Sequence, residues 1–166
     1  MSTDAIVLLR EDHLEIKRVF HQFEDAGHNA VATKNRLVQR MIELLTVHTC
    51  LENECVYPKV RELVPSLEPE ILESLEEHHV ADVLCVELAG MSAEQAHFDA
   101  KVMVLMENVR HHIDEEEHGW FPVVREALGR KPLQEIGAEM LQMRPNAPTR
   151  PSQPGALRKA VHALLA

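Results

Sequence analysis

The sequence predicts an all-α protein: an up-down-up-down four-helix bundle carrying a short C-terminal helical tail. Three observations carry this. Aromatic residues make up only 4% of a chain that is 45% hydrophobic, so Leu, Val, Ala and Met must fill the interior, a composition that favours helix over sheet. Four long stretches repeat their apolar residues with the 3.6-residue period of a helix. The connections between these stretches are only a few residues long, which makes consecutive helices antiparallel neighbours.

The first stretch runs from about Asp4 to Ala26 along a seam of Ile6, Leu9, Ile16, Phe20 and Phe23, with Gly27 as its stop. The second spans about Ala30 to Leu63 and ends before Pro65. The third starts near Pro69, a residue suited to a first helical turn, and fades at Gly90. Ser92 followed by Gln95 has the form of a capping box and opens the fourth, which continues to about Leu128 and stops at Gly129. Residues 1–129 therefore form the bundle. A short helix is expected within 130–143, from about Leu133. The segment 144–155 holds four prolines and reads as an extended linker, and 156–166 as one more short amphipathic helix.

The chain of 166 residues has a formal net charge of −10, which excludes a general nucleic-acid surface. There is no apolar run near 18 residues and no signal-peptide pattern, so a cytoplasmic protein without a membrane segment is expected. Cys50, Cys55 and Cys85 are odd in number and lack C-x-x-C spacing, so they read as reduced thiols.

The chemistry lies in a motif that occurs twice. His48 and Glu52 close at Pro58, and 64 positions later His112 and Glu116 close at Pro122. Residues four apart on a helix stack on one face. That face is apolar in both copies: Leu37, Met41, Leu45 and Cys55 share the direction of His48, and Val102, Leu105 and Val109 flank His112. A carboxylate on a buried face costs several kcal/mol unless paired or bound to a metal. Two such residues, each with a His one turn earlier, share one remedy, which is a pair of cations at the bundle centre. The other helices each offer an imidazole. His13 borders the seam of the first helix. In the third, periodicity leaves His78 and His79 equally placed, and Asp82 is a further donor on the buried side. Imidazole and carboxylate without thiolate argue against structural zinc and fit iron, with manganese or zinc as substitutes.

In the order H…HxxxE…H…HxxxE, residues 4–128 resemble the hemerythrin-like (HHE cation-binding) family. The resemblance matches Asp12-His13 to the first motif, His48 and Glu52 to the second, the EEHH stretch to the third, where the family's Glu-His pairing selects His78, and His112 and Glu116 to the fourth. It implies a non-haem di-iron centre, two iron ions bridged by the two carboxylates and an oxo or hydroxo group, with metal ligands His13, His48, Glu52, His78, His112 and Glu116. The chain departs from oxygen carriers of the family, which have a fifth histidine from a His-x3-His on the third helix. Here Ser74 and Asp82 stand four residues before and after His78. Water, Asp82 or Tyr57 is left to fill that position, although on a straight helix Tyr57 points away from His48.

The function expected from this is reaction with small oxidants (H2O2, O2 or NO), including catalase-like peroxide disproportionation. The alternative is binding or sensing of oxygen, iron or redox state without turnover. A metal-stapled interaction module using the C-terminal tail to bind a protein partner is a third class. His21, His28, His97, His111 and His118 read as surface residues, Cys55 and Cys85 as small core residues, the Glu115–Glu117 run as a solvated face with only Glu116 inward, and Trp120 and Phe121 as core or lid.

Overall fold

Asp4 starts the first helix by accepting a 3.2 Å bond from the Val7 amide through its side chain. In the computed structural model, which describes residues 3–151, this α1 spans Ala5–Asp25 and buries Ile6, Leu9, Ile16, Phe20 and Phe23, the residues of the expected seam. The second long helix is α2 (Val31–Leu51), a π-helical turn at Glu52–Val56, and α3 (Tyr57–Leu63) in continuous succession. A 3-10 turn at Pro65–Leu67 leads into α4 (Glu68–Ala89), with Pro69 in its first turn. The fourth is α5 (Phe98–Asp114), a second π turn at Glu115–Trp120, and α6 (Phe121–Leu128). Next comes α7 (Arg130–Met143). The described residues contain helices and no strand, with α1 packed on α2 and α7, and α4 on α5.

The fourth helix begins at Phe98 rather than at Ser92. The Ser92 amide does donate to Gln95 Oε1 at 2.9 Å, half of a capping box. The backbone nevertheless closes tight turns, Gln95 N–H to Ser92 O and Phe98 N–H to Gln95 O, while the Ala93 amide is held by Asn35 Oδ1 at 2.8 Å. Local polar bonds thus compete with the first helical turn. Gly129, with φ of 68°, makes the break after α6, and α7 follows immediately, three residues before the expected Leu133.

Helix α7 lies hard against the start of α1: a Cβ on Gly137 would sit 1.6 Å from the Thr3 carbonyl oxygen. Beyond it, the expected linker opens with a 3-10 turn, Arg144–Asn146, whose Arg144 guanidinium grips Asp12 at 3.0 and 2.8 Å. The expected helix at 156–166 and the last residues of the linker lie outside the described residues. No described helix is long and apolar enough to cross a membrane.

The core divides into two apolar clusters. One contains Leu9, Leu51, Tyr57, Trp120, Phe121 and Met140. The other contains Ile16, Phe20, Met41, Leu45, Leu88 and Leu105. Buried His13, His48, His78 and Glu116 come between the two clusters in the chain, with Glu52 and His112 one helical turn from His48 and Glu116, so a polar layer crosses the middle of the bundle.

Candidate metal centre

In both His-x3-Glu pairs the His lies on the last turn of an α-helix and the Glu within the π turn that follows, and the two pairs have the same register. The Tyr57 amide reaches back to Glu52 O and the Phe121 amide to Glu116 O, five residues rather than four. In each copy a proline follows by one position, Pro58 and Pro122. A proline inside a tight α-helix removes a bond and drives its ring into the carbonyl four residues back. A widened turn just before it relieves both. The extra residue also rotates everything that follows, which is how π turns re-aim side chains at functional sites.

The carboxylates converge from opposite helices. Glu52 Oε2 lies 3.2 Å from His48 Nε2 on its own helix and 3.1 Å from His78 Nε2 on α4. Glu116 Oε2 lies 3.5 Å from His112 Nε2 on its own helix and 3.2 Å from His13 Nε2 on α1. All four imidazoles are oriented alike. Each turns Nε2 inward and gives Nδ1 an outer acceptor: Glu117 for His13 at 2.7 Å, Asp12 for His48 at 3.5 Å, Asn53 for His78 at 2.9 Å and Glu77 for His112 at 2.7 Å. An outer acceptor fixes the proton on Nδ1 and leaves the inner nitrogen a bare lone pair, the state in which imidazole binds metal.

These donors form two adjoining groups, His13, His48, Glu52 and Glu116 on one side and Glu52, His78 and His112 on the other. The motif repeat continues past the carboxylates, and there the symmetry breaks. Phe121 stacks on His13 with ring centroids 5.9 Å apart, while Tyr57, at the equivalent place, stacks on His78 at 5.4 Å. Only the second side gains a hydroxyl. It lies 3.1 Å from Glu116 Oε1, 3.2 Å from His78 Nε2 and 3.4 Å from Glu52 Oε2.

Burial acts on every one of these groups, but neighbouring charges reverse it at Glu52 and at His112. The His112 pKa is raised well above the usual imidazole value by Glu116, Glu52 and Glu77. Burial pushes the His13 and His78 pKa values down, with nearby carboxylates opposing. Burial and the charge of Glu52 raise Glu116 well above the carboxylate range. For Glu52, burial acts in the same direction but is overcome by the surrounding imidazoles, His48 first, and its pKa falls. The Tyr57 phenol is raised by burial and by both glutamates.

Each residue expected to carry the chemistry is brought to this layer. Of the two histidines that periodicity left open, His78 is buried and faces inward, whereas His79 is only half-buried. Asp82 is not brought in; burial raises its pKa, and the neighbour that opposes this is His79. Tyr57 faces the centre, contrary to its straight-helix direction, because of the π turn. Glu117 is not part of a solvated face but holds His13 and Lys17. Glu77 and Asn53 were also missed. The prolines six residues after each glutamate are the sequence signal that was available for the π turns. Cys85 is a buried core thiol pushed up to about 12, and Trp120 and Phe121 are buried.

The residues fit a cation-binding role. His13 Nε2, His48 Nε2, Glu52 Oε1 and Glu116 Oε2 are buried without a hydrogen-bond partner, a costly state for polar atoms unless a metal satisfies them. The donor set is nitrogen and carboxylate oxygen without sulfur, suited to iron.

A family profile described as hemerythrin HHE cation binding domain matches residues 4–124. An uncharacterised hemerythrin-like protein of Schizosaccharomyces pombe (strain 972 / ATCC 24843) is 26% identical over 158 residues, covering 95% of this chain and 75% of that protein. A crystal structure of a hemerythrin HHE cation binding domain-containing protein from Mycobacterium kansasii superposes with a TM-score of 0.72 at 20% identity, over 86% of each chain.

Proposed function

The chain belongs to the hemerythrin HHE cation-binding domain family, and on that premise we propose that His13, His48, Glu52, His78, His112 and Glu116 would hold two iron ions. Bound iron would supply two-electron redox chemistry at the junction of the two donor groups. The protein then acts on small oxidants, and hydrogen peroxide is the substrate that fits best, disproportionated as two H2O2 to one O2 and two H2O.

The observation that carries this reading is the asymmetry of the centre. Oxygen carriers of the family use a fifth imidazole from the third helix; here that helix offers Ser74, and the nearest additional donor is the Tyr57 hydroxyl, 3.2 Å from His78 Nε2. The chain therefore offers an exchangeable neighbour, the Tyr57 phenol, where a carrier has a fixed imidazole. Exchangeability favours turnover over clean reversible binding. Tyr57 is also placed to move a proton between Glu116 and an incoming oxidant, because its hydroxyl lies 3.1 Å from Glu116 Oε1.

The experiment is peroxide titration of iron-loaded protein with an oxygen electrode. Turnover predicts one O2 for every two H2O2 over many cycles, slowed in Tyr57→Phe at unchanged iron content. A single stoichiometric reaction followed by a stable reversible oxygen adduct would refute it.

A second reading, redox sensing without turnover, is favoured by one contact. Asp12 accepts from His48 and from Arg144, so the segment after α7 is one side chain removed from the centre. Sensing predicts that Arg144 shifts its contacts when the iron changes oxidation state, read by limited proteolysis around residues 144–151.

A further inference from the structure

Next to the centre, α4 and the second π turn border an open cavity of about 360 Å3. Its walls include Glu70, Glu73, Ser74, Glu115, Gly119 and Trp120. Ser74 and Trp120 are both 4% exposed, whereas Glu70, Glu73 and Gly119 are open to solvent. The two buried residues are the ones that act on Tyr57: the Trp120 ring packs edge-on at 5.8 Å, and the Ser74 side chain opposes the rise that burial gives the phenol pKa. One phenol ring thus separates the cavity from the metal donors. The cavity wall itself holds none of the donors; the opening that His48, His78 and His112 do line, between Thr49, Ala81 and Asn108, is only about 10 Å3.

Two independent features describe what the cavity accepts. The buried Trp120 Nε1 has no hydrogen-bond partner among the described residues, so this wall has a spare donor. The rim carries three carboxylates, and Glu70 and Glu73 have no basic partner among the described residues; Glu115 meets only His111, at 3.1 Å. An anion approaching here is repelled. An apolar diatomic gains nothing from the indole N–H. A neutral molecule that both accepts and donates hydrogen bonds satisfies Trp120, Ser74 and the rim together.

We propose that this cavity is the inlet and holding site for a neutral, hydrogen-bonding oxidant of the hydroperoxide class, H2O2 being its smallest member, and that it discriminates against anions. The inference deepens the oxidant reading above and rests on it for the identity of the consuming centre. Ser74, standing where a carrier's imidazole would project, puts a small polar side chain at the inner wall of the inlet.

Trp120 is the single tryptophan of the chain, so its emission reports on the cavity without ambiguity. The test is collisional quenching of the metal-loaded protein by neutral acrylamide, cationic caesium and anionic iodide. It is paired with the rate of peroxide consumption and the iron content of each sample. Iodide should quench about tenfold less well than acrylamide at low salt, and the gap should narrow at high ionic strength and in Glu70→Gln/Glu73→Gln. Gly119→Leu adds a side chain where a Cβ meets nothing within 4 Å. It should cut both acrylamide quenching and peroxide consumption by about tenfold at unchanged iron content.

Equal quenching by iodide and acrylamide in the native protein overturns the proposal without any variant. So does a Gly119→Leu protein with full iron and undiminished peroxide consumption. If the charge selectivity is present but no peroxide is consumed by the native protein, the oxidant reading fails, and the identity of the ligand fails with it.

Discussion

Stripping the metal should cost this bundle much of its stability, and the structure gives the size of the effect. Four buried donor atoms, His13 Nε2, His48 Nε2, Glu52 Oε1 and Glu116 Oε2, have no hydrogen-bond partner among the described residues. A buried unsatisfied polar group costs roughly 1–3 kcal/mol, so four of them amount to about 4–12 kcal/mol. The low end is the better figure, because His13 Nε2 and Glu116 Oε2 lie 3.2 Å apart and a shared proton there recovers part of the loss. Against a total stability of about 5–15 kcal/mol, even the low end is a large fraction. With about 2–4 °C per kcal/mol for a chain of this size, the melting temperature should fall by about 10 °C or more. The assay is thermal melting followed by far-ultraviolet circular dichroism, on loaded protein and on protein stripped under mild denaturant and returned to buffer. Re-addition of ferrous iron should restore the transition. A stripped protein melting within about 3 °C of the loaded form would refute the reasoning, because the orphaned atoms would then have found partners without a metal.

Other predictions follow from single contacts. Arg144→Ala removes the 3.0 and 2.8 Å bonds to Asp12 and should lower stability by about 1 kcal/mol, since the guanidinium is partly exposed. Burial works against the Asp12 charge, but His48 and Arg144 overcome it and its pKa falls below the ordinary 3.8. The folded state therefore binds fewer protons there than the unfolded chain. The contribution is present above pH 3.8 and is lost as pH falls through the folded value, so urea midpoints of variant and native protein should converge in acid. Cys85, pushed up to about 12, is a thiolate in only about one molecule in 10⁴ at pH 8; it should resist thiol reagents until the protein unfolds, as mass mapping of alkylated peptides would show. Gly137→Val puts a branched side chain against the Thr3 carbonyl, where even a Cβ falls at 1.6 Å. It should detach α7 or cost about 3 kcal/mol, measured as a lower urea midpoint.

Much of this centre was legible in the sequence because its signal is periodic. His48 with Glu52 and His112 with Glu116 interrupt apolar faces at helical spacing, and both carboxylates are buried in register. Helix α1 was legible for the same reason. Tyr57 was not. Nine residues after His48, at about 100° per residue it points to the opposite side of a straight helix, and only the slip to a five-residue backbone bond at Glu52 returns it. That slip leaves no mark in hydrophobic periodicity; its trace is Pro58, and Pro122 in the repeat. Glu117 was read as solvated for the same reason, since the second π turn carries it to His13. Ser92 illustrates a different limit. Its capping-box bond to Gln95 forms, yet the helix starts six residues later because a tertiary bond to Asn35 holds the segment in turns. The choice between His78 and His79 needed the packing of α4 against α5, which one helix's own pattern does not contain.

Metal stoichiometry bears most directly on the central claim. Protein expressed in iron-replete medium without chelator should carry about two irons per chain, with near-ultraviolet absorption bands that disappear on stripping. His48→Ala or Glu116→Ala should lose at least one iron, while His21→Ala, on the exposed face of α1, should keep both. One zinc or no metal in the native protein, or two irons retained by Glu116→Ala, would contradict the assignment of these six residues to a dinuclear centre.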